Sequence, residues 1–161
     1  MALVASLSKY KIKTFKLWIG VCVLAALVLA YDGYLSKYQW SKRYEFYKHH
    51  VIDKGGKPDV DMVLNQNAPF VLIGLAALMG GYLFIIRNKK VVADETGLVV
   101  DEKINIAYNS ILKIDKTLFD SKGRFTITYR GPDGKETDLT ISDKNYDGLG
   151  AILDQAVAKI S

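Results

Sequence analysis

One cysteine, two histidines and three prolines in 161 residues remove several classes of protein at once. A single thiol closes no internal disulfide, and Cys22 lies in an apolar run where it behaves as a small hydrophobe, so a disulfide-stapled scaffold and a cysteine-based redox or metal centre are excluded. The histidines are neighbours, His49 and His50, and neither stands near the second half of the chain, so no Ser-His-Asp arrangement can be drawn there. Adjacent side chains on a helix diverge and no third ligand has metal-site spacing, so both histidines read as solvated. Glycine-rich phosphate loops and paired-histidine zinc motifs are missing too, and Gly131-Pro132-Asp133-Gly134-Lys135 reads as a hairpin turn. The chain therefore reads as a non-enzyme, with no cofactor, no metal and no small-molecule substrate.

What is present is segregated. Up to Arg87 there are 11 Lys and Arg against 5 Asp and Glu, and beyond it 11 against 12, so the net charge of +5 lies wholly beside the apolar blocks. A nucleic-acid-binding module would carry its surplus on the folded part, so no nucleic-acid partner is expected. Ala68 to Ile86 is a run of 19 residues without a charge. As a helix it would be roughly 28 Å long, close to the thickness of a hydrocarbon core. It reads as a transmembrane helix, with Pro69 in its first turn and Arg87, Lys89 and Lys90 closing it.

Leu17 to Tyr31 is a shorter run of 15 uncharged residues, extended by the stem of Lys16 and by Trp18, Tyr31 and Tyr34 at the interfaces. A signal peptide cleaved before Tyr31 is the competing reading, since Lys9, Lys11, Lys13 and Lys16 precede the run and Val28-Leu29-Ala30 ends it. The retained helix is preferred because aromatic anchors follow the proposed cut. The chain is thus divided into residues 1–35 (basic segment and first helix), 36–67 (aromatic and basic connection), 68–87 (second helix) and 88–161 (soluble domain). Lys and Arg near the two outer ends number seven against six between the spans, and the outer ones crowd the membrane more closely. Both termini and the soluble domain are therefore expected in the cytoplasm.

The connection carries Tyr34, Tyr38, Trp40, Tyr44 and Tyr47 at spacings compatible with a helix leaving the membrane or lying along it. Tyr, Trp and Arg favour protein interfaces, so these residues are candidate contacts with another membrane-protein subunit. Gly74 and Gly81, seven apart on one face of the second helix, are candidates for close helix packing. Asp59 or Asp61 is expected to cap the start of that segment.

Past Lys90 the pattern becomes short β-like runs: Val91–Ala93, Leu98–Val100, Ile104–Tyr108, Ile111–Phe119, Phe125–Arg130 and Thr137–Ile141, separated by turn residues. Phe125, Ile127 and Tyr129 alternate with polar residues, as do Leu139 and Ile141, so each strand buries one face. Tyr146, Leu149, Ile152, Leu153, Ala156, Val157 and Ile160 then recur at steps of three and four, predicting a helix of about four turns. The fold class is a membrane-anchored α+β protein: two transmembrane helices, then a small antiparallel β-barrel or curved sheet with a C-terminal helix. Lys113, Lys116, Lys122 and Arg124 surround one hairpin as candidate contacts with anionic membrane lipids, although Asp115 and Asp120 interrupt them.

The order VVADETGLVV, INIAYNSILKIDK, RFTITYR and TDLTIS, closed by an apolar-striped helix, resembles the bacterial pleckstrin-homology-like domains tethered to membrane helices. The resemblance covers about residues 88–161. It implies a seven-strand barrel capped by the helix, and binding or assembly in place of catalysis. Phosphoinositide-binding members carry basic residues in the first hairpin, where this chain has Asp94, Glu95, Asp101 and Glu102. The expected role is an accessory or scaffold subunit of a membrane protein complex in the bacterial inner membrane, with an anionic-lipid sensor as the alternative.

Overall fold

Short strands of four to seven residues and two long apolar helices set the architecture of the computed structural model, which describes residues 2–160. It divides into two units, Met1–Lys13 with Ile85–Ser161, and Thr14–Phe84.

Among the described residues the first unit holds seven strands: β1 (Leu3–Ser6), β2 (Lys90–Ala93), β3 (Gly97–Val100), β4 (Ile104–Ala107), β5 (Ile111–Asp115), β6 (Arg124–Arg130) and β7 (Glu136–Ser142). They form two antiparallel sheets in the orders β1-β2-β3-β4 and β5-β6-β7. Among the described residues no ladder joins the sheets, so the barrel or single curved sheet expected from the sequence is instead a pair of separate sheets. The reason lies in the connection between β4 and β5. Tyr108–Ser110 makes a 3-10 turn whose Tyr108 hydroxyl donates to the Asp94 carbonyl at 3.1 Å, and β5 starts a new ladder with β6.

The alternation expected in β6 and β7 is observed, with Phe125, Ile127 and Ile141 buried and Arg124, Arg130, Asp138 and Thr140 exposed. Core residues from both sheets, including Ala5, Val91, Leu98, Ile106, Phe125 and Ile127, meet α5 (Leu149–Ile160) through Leu149, Ile152, Leu153 and Ala156. That helix is a turn shorter than its apolar periodicity suggests. Tyr146 lies outside it, bridged to Leu7, and Gly148 has φ +84, a left-handed residue that cannot continue a helix backwards.

β5 also ends sooner than its apolar run. The Asp115 carboxylate accepts the Thr117 amide at 3.0 Å and hydroxyl at 2.7 Å, an Asx turn that replaces ladder bonds, and Phe119 opens the single-turn helix α4 (Phe119–Lys122). Gly123 ends α4 at φ +61, a left-handed conformation that favours glycine at a helix C-terminus, and a Cβ there would also push the Asp143 carboxylate aside.

β1 is the strand that hydrophobic patterning missed. It pairs with β2, Leu3 opposite Ala93 and Ser6 opposite Lys90, and Ala5 is wholly buried. The segment read as the basic stretch before the first helix thus begins as sheet. Its continuation is fixed by the tail loop: Asp147 accepts the Lys9 amide at 2.9 Å, and its own amide donates to the Ser6 carbonyl.

The second unit holds most of two long helices, of which α1 (Lys9–Ala30) runs on through a π-helical turn at Tyr31–Leu35, making 27 helical residues. α3 (Val60–Ile86) is also 27 residues long, beginning eight residues before the uncharged block. Asp59 caps it, accepting the Met62 amide at 3.1 Å, as the sequence predicts. Because the helix starts early, Pro69 lies in its interior, not in its first turn. Both helices are long and apolar enough to cross a membrane, and Leu24 and Leu78 are 65% and 73% exposed, so these apolar side chains are not covered by protein.

Pro69 has no N–H to give the Asn65 carbonyl, and the Tyr31–Leu35 turn approaches α3 closely at this point. Gly33 is buried there: a Cβ on it would stand 2.5 Å from the Asn65 carbonyl oxygen and 2.9 Å from the Gln66 nitrogen. Gln66 Nε2 donates to the Gly33 carbonyl at 3.2 Å, and the Tyr34 hydroxyl donates to the Gln66 carbonyl at 2.8 Å. At the other end of the pair, the rings of Phe15 and Tyr82 stand 5.5 Å apart.

Candidate functional site

Two side-chain groups merit attention, one in each unit. The first is the connection between the long helices. Arg43 spans the turn with a two-pronged bond to Asp32, Nε to Oδ1 and Nη2 to Oδ2, both at 2.8 Å, and its guanidinium covers the Phe46 ring at 4.8 Å. Ser36 and Ser41 are buried under this arch; the Ser36 hydroxyl bonds to the Asp32 carbonyl and that of Ser41 to the Tyr31 hydroxyl.

The aromatic candidates separate into three settings. Tyr34 belongs to the helix contact, bonded to Gln66 and edge-on to Phe70 at 6.5 Å. Tyr38 and Trp40 stack at 5.6 Å and 11°, with Lys37 Nζ over the Tyr38 ring, and Trp40 is 69% exposed. Tyr44 and Tyr47 pack on each other at 6.4 Å within α2 (Tyr44–Tyr47). Around Gly74 and Gly81 there is open space, so the chain's own close approach is at Gly33.

The histidine pair is corrected by the structure. His49 is solvated as expected, but the His50 side chain is only 16% exposed, with Nδ1 2.7 Å from Asp59 Oδ2 and 3.9 Å from Asp61 Oδ2. A π-helical turn at Lys48–Ile52 swings the two rings edge to face, and the bond from the Asp59 amide to the His50 carbonyl brings the two ends of the connection together. The Met62 amide first, and then the His50 ring, hold the Asp59 carboxyl below the usual carboxylate range.

In the first unit, β-register assembles a second group. Arg124 pairs with Ser142, so residues before β6 meet residues after β7. A cleft of about 700 Å³ results, lined by Lys122 and Arg124 together with Lys144, and by Asp120 and Asp143. Asn145 is also on its wall and accepts a bond from Lys11 Nζ at 2.8 Å. Lys113 and Lys116 do not line this cleft: Lys113 faces Thr128 across the ladder, and Lys116 lies in the turn before α4. Sequence reading missed Lys144 because only strand register makes it a neighbour of Lys122, and missed Asp59 and Asp61 as partners of His50 because a turn containing two left-handed glycines intervenes. Compared with family models, curated proteins and solved structures, the chain matches none.

Proposed function

We propose that the protein is a non-enzymatic integral membrane protein whose two long helices form a hairpin anchor. Its β-unit serves as a pleckstrin-homology-like binding module, in an accessory or scaffold subunit of a membrane protein complex. One observation carries the reading: two 27-residue apolar helices, largely uncovered by protein, are inserted between β1 and β2 of a single sheet. Insertion at that point requires an even number of crossings, so N-terminus and β-unit share one side of the bilayer. The crowding of Lys9, Lys11, Lys13, Lys16, Arg87, Lys89 and Lys90 at that side favours the cytoplasmic face of a bacterial inner membrane.

Support for the module comes from its four-plus-three strands followed by a packed helix, with β1 supplying the seventh strand. Support for a retained first helix comes from the same strand, because removal of residues before Tyr31 would strip Ala5 from the core. The stacked, exposed Tyr38 and Trp40 suit contact with a membrane subunit. The cleft with Lys122, Arg124 and Lys144 favours a second reading, a sensor of anionic lipid, with each cation contributing about 1 kcal/mol near a charged surface.

The test is native mass measurement of the untagged full-length chain extracted from its own membranes in mild detergent. The accessory role predicts a stoichiometric companion polypeptide that is lost on Trp40→Ala. A lone monomer refutes it. Retained anionic lipid that is lost when Lys122, Arg124 and Lys144 are changed to glutamate identifies the sensor instead, and recovery as a monodisperse species in plain buffer refutes both.

A further inference from the structure

We propose that His50, Asp59 and Asp61 form a binding site for one divalent transition-metal cation of the zinc class, which clamps the connection between α1 and α3. The proposal is independent of the membrane reading, since it needs only the geometry of this turn. The three ligand atoms lie within 4.8 Å of one another, with His50 Nδ1 2.7 Å from Asp59 Oδ2 and 3.9 Å from Asp61 Oδ2. Ligand atoms around a tetrahedral zinc, at bonds of about 2.0–2.1 Å, stand roughly 3.3 Å apart. No pair therefore has to change its separation by more than about 1.5 Å to close on an ion.

The donor set chooses the metal. One imidazole nitrogen with two carboxylate oxygens suits zinc and its first-row neighbours, whereas magnesium and calcium take all-oxygen shells. Water would fill the remaining position. The ligands are also held beforehand. Asp59 divides its carboxylate, Oδ1 capping α3 through the Met62 amide and Oδ2 facing the ring, so metal binding leaves the cap intact. The His50 ring is packed on Phe46 at 4.2 Å, and its backbone is tied to the Asp59 amide at 3.0 Å. Two carboxylates face a single imidazole, so whatever charge the ring carries, negative charge is in excess there; Lys54 is a cation acting on Asp59, and a dication neutralises more of that excess. On binding, Nδ1 offers its lone pair to the metal and the ring's one remaining hydrogen resides on Nε2; any proton displaced from Nδ1 passes to solvent.

The test uses the untagged full-length chain in detergent, stripped with a chelator and titrated with zinc chloride by calorimetry. Saturable uptake of one zinc per chain is expected, undiminished by millimolar magnesium or calcium. His50→Ala and Asp61→Asn are each expected to weaken it by about tenfold or more. Asp59→Asn is the conservative check, because asparagine caps a helix as well as aspartate does while donating a poorer ligand. His49→Ala is expected to bind as the parent does. Failure to take up zinc, equal binding by the His50 and Asp61 variants, or an equal loss on His49→Ala overturns the proposal; circular dichroism on each variant separates loss of site from loss of fold.

Discussion

Replacing Gly33 with alanine tests the close approach of the Tyr31–Leu35 turn to α3. The added methyl would sit 2.5 Å from the Asn65 carbonyl oxygen and 2.7 Å from its carbon, both backbone atoms that no rotamer change can move aside. Ordinary contact needs about 3.4 Å or more, so the segments must part by close to 1 Å, comparable to the overpacking displacements that cost about 1–3 kcal/mol. That separation stretches the 3.2 Å bond from Gln66 Nε2 to the Gly33 carbonyl beyond bonding range. Against the cost stands a gain of up to about 1 kcal/mol in helix propensity, available to any helical Gly→Ala change. Gly74→Ala and Gly81→Ala isolate that gain, because nothing lies within 4 Å of a Cβ at either position. Unfolding titrations in mixed micelles, followed by far-UV circular dichroism, should therefore place Gly33→Ala about 1–3 kcal/mol below Gly74→Ala. Equal stability of the two would falsify the close approach. A loss confined to Gly74→Ala or Gly81→Ala would move the packing seam to the face chosen from sequence spacing.

Further expectations follow from the β-unit. Deleting residues 2–7 removes β1 and should raise amide hydrogen exchange across Val91–Ala93; unchanged protection there would mean that the strand is dispensable. Ile127→Ala, at a wholly buried position, should cost about 2–5 kcal/mol in chemical denaturation, and a cost below 1 would mean that the core is not packed as described. Tyr146→Phe removes a 2.7 Å hydroxyl bond to the Asp101 carboxylate, with an expected loss of about 1.5–3 kcal/mol. The Lys9 amide, followed by the Ser8 hydroxyl, holds the Asp147 carboxyl below its ordinary value. Its contribution is therefore complete above about pH 4 and is lost as pH falls through the lowered folded value. Melting curves between pH 2 and 6 should show Asp147→Asn less acid-sensitive than the parent, and identical profiles would contradict the linkage.

Much of this architecture is legible wherever a periodic pattern extends over enough residues. Ala68–Ile86 announces a helix by composition alone, and Phe125–Arg130 shows its buried face by strict alternation. β1 escapes because four residues, Leu3–Ser6, are too few for a period, and their partner lies beyond two long helices. Pro69 suggests a helix start on local grounds, yet the Asp59 cap wins because eight more residues can propagate ahead of the uncharged block. His50 defeats spacing arguments for a different reason: its neighbours in space come from a reversal at Asp53–Asp59, and residue order carries no measure of that distance. The cleft residues illustrate the same limit, since Lys122 is legible as basic while Lys144 becomes its neighbour only through the β6-β7 register.

Placing the helices between the first and second strands has a kinetic consequence. Ribosomes deliver Leu3–Ser6 first, but its pairing partner Lys90–Ala93 emerges more than 80 residues later, a closure whose entropic cost grows only logarithmically with the intervening length. During synthesis the leading strand must wait, unpaired, until both apolar segments have found their environment. Under the hairpin-anchor reading proposed above, a chain that threaded only one of them would leave its two sheet-forming pieces on opposite sides of the bilayer, unable to meet. Until Leu3–Ser6 returns to it, the β2 edge of the four-stranded sheet presents unpaired backbone donors and acceptors that are open to other strands.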